Sequence, residues 1–578
     1  MKELLAQVKQ YKKVSLLAPL FSALEVAMEV LLPFVMAKLI DEGVQCGDMN
    51  KIYLYGGIMV VIACISLMSG MLAGKYAALA STGFACNVRE AMYRRIQKFS
   101  FSNIDKYSTA GLVTRMTTDV TNVQNSYQMI IRIAVRAPLM LISSMIMCFF
   151  VNVEMSFIFL GAVIFLAIIL VIIMLSAMKV FNVAFRKYDD LNASVQENIS
   201  GIRVVKAYVR EDYEKEKFAK ASGNIYKMFK KAESILAFNN PVMMLVIYGC
   251  IMAICWFGAS FVVAGSLQTG ELSSLFTYVM NSLMALMMLS MIFVMLTMSV
   301  ASMKRISEVL REEPDLANSE APVKEITDGS VDFNHVYFSY KKNSEEPVLE
   351  DIDLHIRSGE TIGIIGSTGC GKTSLVNLIS RLYDVQSGSV CVGGRDVREY
   401  DMEYLRNNVA VVLQKNVLFS GTILENLRWG NENATEEECI NACKAACADE
   451  FIENLPNKYN TYIERGGANV SGGQKQRLCI ARALLKKPKE LILDDSTSAV
   501  DTATDAKIRA AFKAEIPGTT KFIIAQRISS VQDADRIIVL DDGKVNGFDT
   551  HENLIKNNEI YSEIYESQIK GGGDFDRQ

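Results

Sequence analysis

Gly366-Ser367-Thr368-Gly369-Cys370-Gly371-Lys372-Thr373 follows the apolar run Thr361 to Ile365 and leads into Ser374 to Ser380, a strand, a glycine-rich turn and a helix in immediate succession. That order is what a phosphate-binding loop requires. The glycines let successive backbone N–H groups converge on phosphate oxygens, and the helix N-terminus adds positive potential. Within this pattern Lys372 reaches terminal phosphates and Thr373 is placed to ligate Mg²⁺.

Two further segments lie C-terminal to the loop. Glu490-Leu491-Ile492-Leu493-Asp494-Asp495 reads as a buried strand ending in two carboxylates. Asp494 is suited to hold Mg²⁺ through water, and the next position is where a base would orient an attacking water. Between the two motifs stands Val470-Ser471-Gly472-Gly473-Gln474, followed by Lys475, Gln476 and Arg477 on a basic helix. Taken alone this is an ordinary glycine-rich helix start. Beside a phosphate loop it is a second anion-binding surface, which implies a second nucleotide or one shared between two chains.

The first three hundred residues have a different character. Hydrophobic residues form 50% of the 578-residue chain, and the long apolar runs are concentrated there. Six stretches reach the roughly 20 residues that a helix needs to cross a bilayer: Ser15 to Leu39, Tyr53 to Ala73, Ala134 to Val151, Ser156 to Met178, Asn240 to Ala264 and Ser273 to Val300. The connections from Gly74 to Ile133 and from Lys179 to Phe238 are long and rich in Lys and Arg; the opposite ones are short and mostly acidic. That asymmetry puts both termini on the cytoplasmic side. Each long connection has few Gly and Pro and many aliphatic residues, which favours paired helical arms over a disordered loop. About 28 residues at ~1.5 Å each project roughly 40 Å.

Two features inside the spans carry chemistry. Met280, Met284, Met287, Met288, Met291, Met295 and Met298 share an arc of about 100° on the sixth span at 3.6 residues per turn. Methionine repacks around varied apolar guests, so the stripe reads either as a ligand-facing surface, centred on Met287, Met291 and Met295, or as helix packing. Glu25 and Glu29 lie one turn apart in the first span and need a cavity, a proton or a cation. Arg132 and Arg136 are candidate partners, and structural pairing and substrate contact both remain open.

A net charge of −4 gives no global field for nucleic acid. The 12 cysteines lie mostly in apolar spans or in the soluble half, which argues against a disulfide framework. Cys439, Cys443 and Cys447 share a helix face; with no histidine nearby they read as packed thiols ahead of a metal site. Met1 to Lys13 reads as a basic amphipathic helix rather than a signal peptide.

Taken together, the motifs from Ser330 to Gln568 resemble the nucleotide-binding domain of ABC transporters, and the whole chain resembles an ABC exporter half-transporter. The resemblance implies a six-helix transmembrane domain over residues 1–303 with long cytoplasmic coupling arms and a linker over 304–328. An α/β nucleotide-binding domain over 329–570 and a flexible tail over 571–578 complete the chain. It implies ATP and Mg²⁺, a bilayer, a second half-transporter as partner, and small hydrophobic or amphipathic substrates. It places the protein in a bacterial plasma membrane. Tyr340 is expected to stack on adenine, the loop through Ser374 to hold phosphates, and Gln414 to touch Mg²⁺ and the arms. Ser471, Gly472, Gly473 and Gln474 should meet the partner's ATP, and Ser498 to Asp501 should cross between the two sites. Short coupling helices are expected near Thr114 to Thr121 and Tyr208 to Tyr213.

Two positions depart from the family pattern. Its catalytic glutamate is replaced by Asp495, one methylene shorter, and its switch histidine by Gln526. Paired losses in one site beside an intact signature resemble the degenerate subunit of heterodimeric bacterial multidrug exporters. Lipid or peptide export and an ATP-sensing regulatory subunit are the alternatives.

Overall fold

The computed structural model describes residues 2–341, 346–495 and 500–571, with a few helical side chains left out, Met298 among them. The chain divides into two compact units. One comprises residues 1–98 and 108–312; the other comprises 99–107 and 313–578.

The first unit is helical. Among the described residues six helices are long and apolar enough to span a membrane. The first, Lys12–Lys38, carries Pro19 and Pro33 in its interior, which a span tolerates where neighbours satisfy the freed carbonyls. Asp48 starts the second helix, Met49–Ile96, by accepting hydrogen bonds from the N–H groups of Asn50 and Lys51. Asn152 does the same for Val153–Ser200 through Met155 N–H. Each of these two helices has 48 residues and is about 72 Å long, well beyond a ~30 Å hydrocarbon layer. Val120–Val151, Asn239–Val263 and Thr269–Arg311 complete the set. Their shared core includes Val26, Val30, Phe159, Tyr278 and Leu283. Tyr278 is fully buried and donates its hydroxyl to Val30 O at 2.9 Å, so its polar end is satisfied.

Several expected boundaries move. The sixth helix runs unbroken to Arg311, past the position 303 at which the sequence ends the membrane domain. The short helices at the arm tips also lie elsewhere. Thr114 to Thr121 falls in a continuous stretch made of Thr109–Thr114, a π-helical turn Arg115–Asp119 and the start of Val120–Val151. The short helix that packs with the second unit is Phe101–Lys106. There Asn103 donates to Glu313 O at 3.1 Å, Ser102 to Asp315 at 3.0 Å, and Tyr383 to Asp105 at 2.6 Å. At the other arm the short helix is Ile202–Ala207, before Tyr208, because the long helix stops at Gly201.

The second unit is an α/β domain with two principal sheets. The larger has six strands in the order Lys544–Asp549, Arg536–Asp541, Thr361–Gly366, Thr520–Ile524, Glu490–Asp494 and Val409–Val412. All neighbours are parallel except the first pair. The central strands are buried on both faces, as continuous apolar runs require. An antiparallel sheet packs Leu349–Ile356, Val331–Phe338, Ser387–Val392 and Arg395–Asp396 side by side. Cys439, Cys443 and Cys447 are buried in the core, where burial pushes their thiols up.

Candidate functional site

Parallel strands bring their carboxyl ends to one edge, and there the sequence motifs converge. Ile524 is in register with both Ile364 and Asp494, so the loop after Gly366, the Asp494-Asp495 pair and Gln526 leave adjacent strands at the same level. That edge is where open α/β sheets bind ligands.

The glycine-rich turn needs its glycines. Gly366, Gly369 and Gly371 have φ of 156°, 91° and 96°. A Cβ on Gly366 would stand 2.1 Å from Leu540 O, and one on Gly371 would stand 2.7 Å from Leu349. Lys372 and Thr373 open the helix Lys372–Ile379. Lys372 Nζ donates to the carbonyls of Gly366 and Ser367 at 2.8 and 2.7 Å, which folds the ammonium over the loop. Thr373 Oγ1 donates to Asp494 at 3.0 Å. A hydroxyl beside a carboxylate is a hard-oxygen donor pair that suits Mg²⁺ completed by phosphate and water oxygens. Among the described residues no cluster of three His, Cys, Asp or Glu side chains would hold a metal unaided.

Asp495 stands in the left-handed region with φ of 47° and is nearly buried. Gln526 Nε2 donates to its Oδ2 at 2.8 Å, and the Gln414 amide stands near the same carboxylate. Burial pushes the Asp495 carboxyl above its ordinary value, and those two amides oppose the rise. Burial also raises Asp494, assisted by the neighbouring Asp495 charge and opposed by Thr373 and Lys372. Gln476 reaches the Asp495 carbonyl at 3.5 Å, which ties the basic helix to the strand end.

The Tyr340 ring is 47% exposed, and its hydroxyl lies 2.8 Å from Ser374 Oγ, beside the loop. Tyr383 meets it edge-on at 5.0 Å. Ser471 caps the helix Gly472–Leu484 reciprocally with Gln474, and both Ser471 and Gly472 are exposed. Among the described residues no hydrogen bond joins Ser471 to the phosphate loop. Of Ser498 to Asp501, Ser498 and Ala499 lie outside the described residues; Asp501 caps the helix Thr502–Glu515.

In the first unit Arg136 selects Glu29, donating to both its carboxylate oxygens at 2.7 and 2.9 Å, with Glu25 at 3.8 Å. A cavity of about 340 Å³ adjoins this pair. Of the sixth-span methionines it takes Met284 and Met288, rather than Met287, Met291 and Met295, and the third span adds Met140. Thr277 and Asn281 also line it and are absent from the sequence reading. The signal for them was legible: positions 277, 281, 284 and 288 form one helical stripe with two polar residues inside an apolar span.

The family profile of the ABC transporter transmembrane region matches residues 15–284, and that of the ABC transporter matches residues 349–498. An uncharacterized ABC transporter ATP-binding protein of Bacillus subtilis (strain 168), YfiB, is 36% identical over 98% of this chain and 99% of its own length. The chain belongs to the ABC transporter family. This ABC transporter is a multi-pass membrane protein of the ATP-hydrolysing kind, and its second unit carries the ATP-binding domain. The transporter is also 33% identical to the ATP-dependent lipid A-core flippase of Desulfotalea psychrophila (strain LSv54 / DSM 12343), covering 88% of this chain and 89% of the flippase. In fold the transporter matches a bacterial Atm1-family ABC exporter solved with ATP bound, with a TM-score of 0.83 and 24% identity over 96% of this chain and 99% of the other.

Proposed function

We propose that this chain is the degenerate-site subunit of a heterodimeric bacterial exporter of hydrophobic or amphipathic compounds, with its ATP-binding domain and both termini in the cytoplasm. The observation that carries this reading is the Asp495–Gln526 hydrogen bond at 2.8 Å. Asp495 is one methylene short for a base, and a displacement of about 1 Å costs about 100-fold in rate. The amide of Gln526 occupies one of its oxygens and cannot become a cation beside a γ-phosphate. Lys372 and the loop amides bind the terminal phosphates of ATP; Thr373, Asp494 and Gln414 would hold Mg²⁺, which would supply charge neutralisation at the phosphates. Tyr340 supports the adenine. Ser471, Gly472, Gly473 and Gln474 serve the partner's ATP, so turnover belongs mainly to that second site.

The deciding experiment is the ATPase rate of this chain purified as a homodimer and with a second half-transporter carrying Glu and His at the two positions. Slow turnover alone and fast turnover in the mixed complex are expected; robust homodimer turnover overturns the reading. A lipid as cargo is the second reading, favoured by the flippases among the relatives. Uptake of apolar dyes and of labelled lipids into inverted vesicles separates the two.

A further inference from the structure

Within the first unit a groove of about 720 Å³ is lined by Glu25, Lys75 and Arg132, together with Glu29, which is already paired with Arg136; Leu32, Leu67 and Met71 are among its apolar walls. The Glu25 side chain is only 10% exposed, and its Oε2 has no hydrogen-bond partner among the described residues. Its other oxygen lies 3.8 Å from Arg136, whose guanidinium is already engaged by Glu29. Arg132 and Lys75 form neither an ion pair nor a side-chain hydrogen bond among the described residues.

Two glycines bring these groups onto one stripe of the second span. A Cβ on Gly70 would meet Glu25 Oε1 at 2.9 Å, and one on Gly74 would meet Arg132 Nη1 at 3.5 Å. Four residues separate the glycines, about one helical turn. A carboxylate and a guanidinium therefore line the same groove at neighbouring levels without pairing. Charges inside a span are costly unless matched. An organic cation alone would leave Arg132 and Lys75 unmatched, and an anion alone would leave Glu25 so.

We propose that this groove binds the headgroup of a zwitterionic amphiphile, an ammonium joined by a short linker to a phosphate. Glu25 accepts from the ammonium N–H groups. The Arg132 fork and the Lys75 ammonium hold the phosphate oxygens, a geometry guanidinium favours. Leu32, Leu67 and Met71 cover the first part of the chain. This assignment rests on the reading of the protein as an exporter of amphipathic compounds and narrows its substrate class.

The test uses the full transporter, with its partner subunit, in phosphatidylcholine nanodiscs doped with phosphatidylethanolamine or phosphatidylglycerol. Retained lipid is counted by native mass spectrometry. Phosphatidylethanolamine, which has ammonium N–H donors, should be retained about tenfold better than phosphatidylglycerol, as one charge-assisted hydrogen bond allows. Glu25→Gln should abolish that preference. Gly70→Ala should reduce it without altering any charge, by displacing the carboxylate. Lys75→Gln, at an exposed position, should weaken both lipids alike. Equal retention of the two lipids, or a preference unchanged by Glu25→Gln, overturns the assignment. So does competition by soluble phosphoethanolamine as strong as that by the lipid, because the apolar walls would then contribute nothing. ATP-driven dye uptake that persists without any headgroup preference sinks this assignment alone. Absence of ATP-driven movement of every amphiphile sinks the functional reading beneath it.

Discussion

Two carboxylate pairs, one at the strand ends and one in the first span, are matched in different ways. Asp494 and Asp495 accept hydrogen bonds from neutral donors, the Thr373 hydroxyl and the Gln526 amide. Glu29 is held by the Arg136 guanidinium, while one oxygen of Glu25 has no hydrogen-bond partner among the described residues. A carboxylate held by neutral groups keeps its charge for an incoming cation. One held by a guanidinium is neutralised in place, which suits a structural role in an apolar span. On the proposed reading, the contrast suits the first pair to a metal ion and divides the second between Glu29 as anchor and Glu25 as the open acceptor.

The largest difference between the two pairs rests on Arg136. Arg136→Ala strands Glu29 among the spans and should cost about 3 kcal/mol, at the low end for a buried pair because both partners are partly exposed. Joint replacement by Glu29→Gln and Arg136→Gln should recover most of that loss. Thermal unfolding of the detergent-purified transporter reads both; a silent Arg136→Ala would remove the anchor role.

Next in size is the signature. In the complex with a partner half-transporter, Ser471→Ala should slow ATP hydrolysis about 100-fold, by loss of a donor to developing charge. Lys372→Ala should lower ATP occupancy at this chain's own site and reduce turnover only in part. The opposite ranking of the two variants in an ATPase assay would place the working site on this chain.

A fifth carboxyl, Glu490, lies at the far end of the strand that carries Asp494. Glu490 is fully buried, neither of its oxygens has a hydrogen-bond partner among the described residues, and burial holds its carboxyl well above the ordinary 4.5. The folded protein therefore keeps a proton that the unfolded chain releases above about pH 4.5, and stability falls as pH rises from that value toward the raised one. Glu490→Gln should bring little gain near pH 4.5 and a growing gain in unfolding midpoint toward pH 8. A gain independent of pH would mean that Glu490 is ionised in the fold.

The smallest effect belongs to Asp495→Glu. With Gln526 still bonded at the switch position, the single change should alter the homodimer rate little, whereas Asp495→Glu with Gln526→His should raise it clearly. Equal rates in the two variants would show that the switch position is not what limits this site.

The contiguous order of glycines, Lys372 and Thr373 was enough to place a phosphate loop between strand and helix, because backbone N–H convergence depends on neighbours in sequence. Six apolar runs of sufficient length likewise determined the spans, since bilayer thickness sets a length that composition alone reveals. The substitutions at Asp495 and Gln526 were legible by position. Their mutual hydrogen bond was not, because it joins two different strands of the larger sheet and arises only from the pairing of Ile524 with Asp494.

Tertiary structure alone decided the rest. It chose Arg136 over Arg132 for Glu29, although both lie at workable helical spacing, because the choice turns on how the first and third spans are rotated. It turned Met284 and Met288 toward the cavity, where a 100° arc of methionines left every member equivalent. It also placed a short helix at Phe101–Lys106, within the second unit, because Asn103, Ser102 and Asp105 find Glu313, Asp315 and Tyr383 there. Periodicity records which face of a helix is apolar, whereas which neighbour that face meets is settled by packing between segments far apart in the chain.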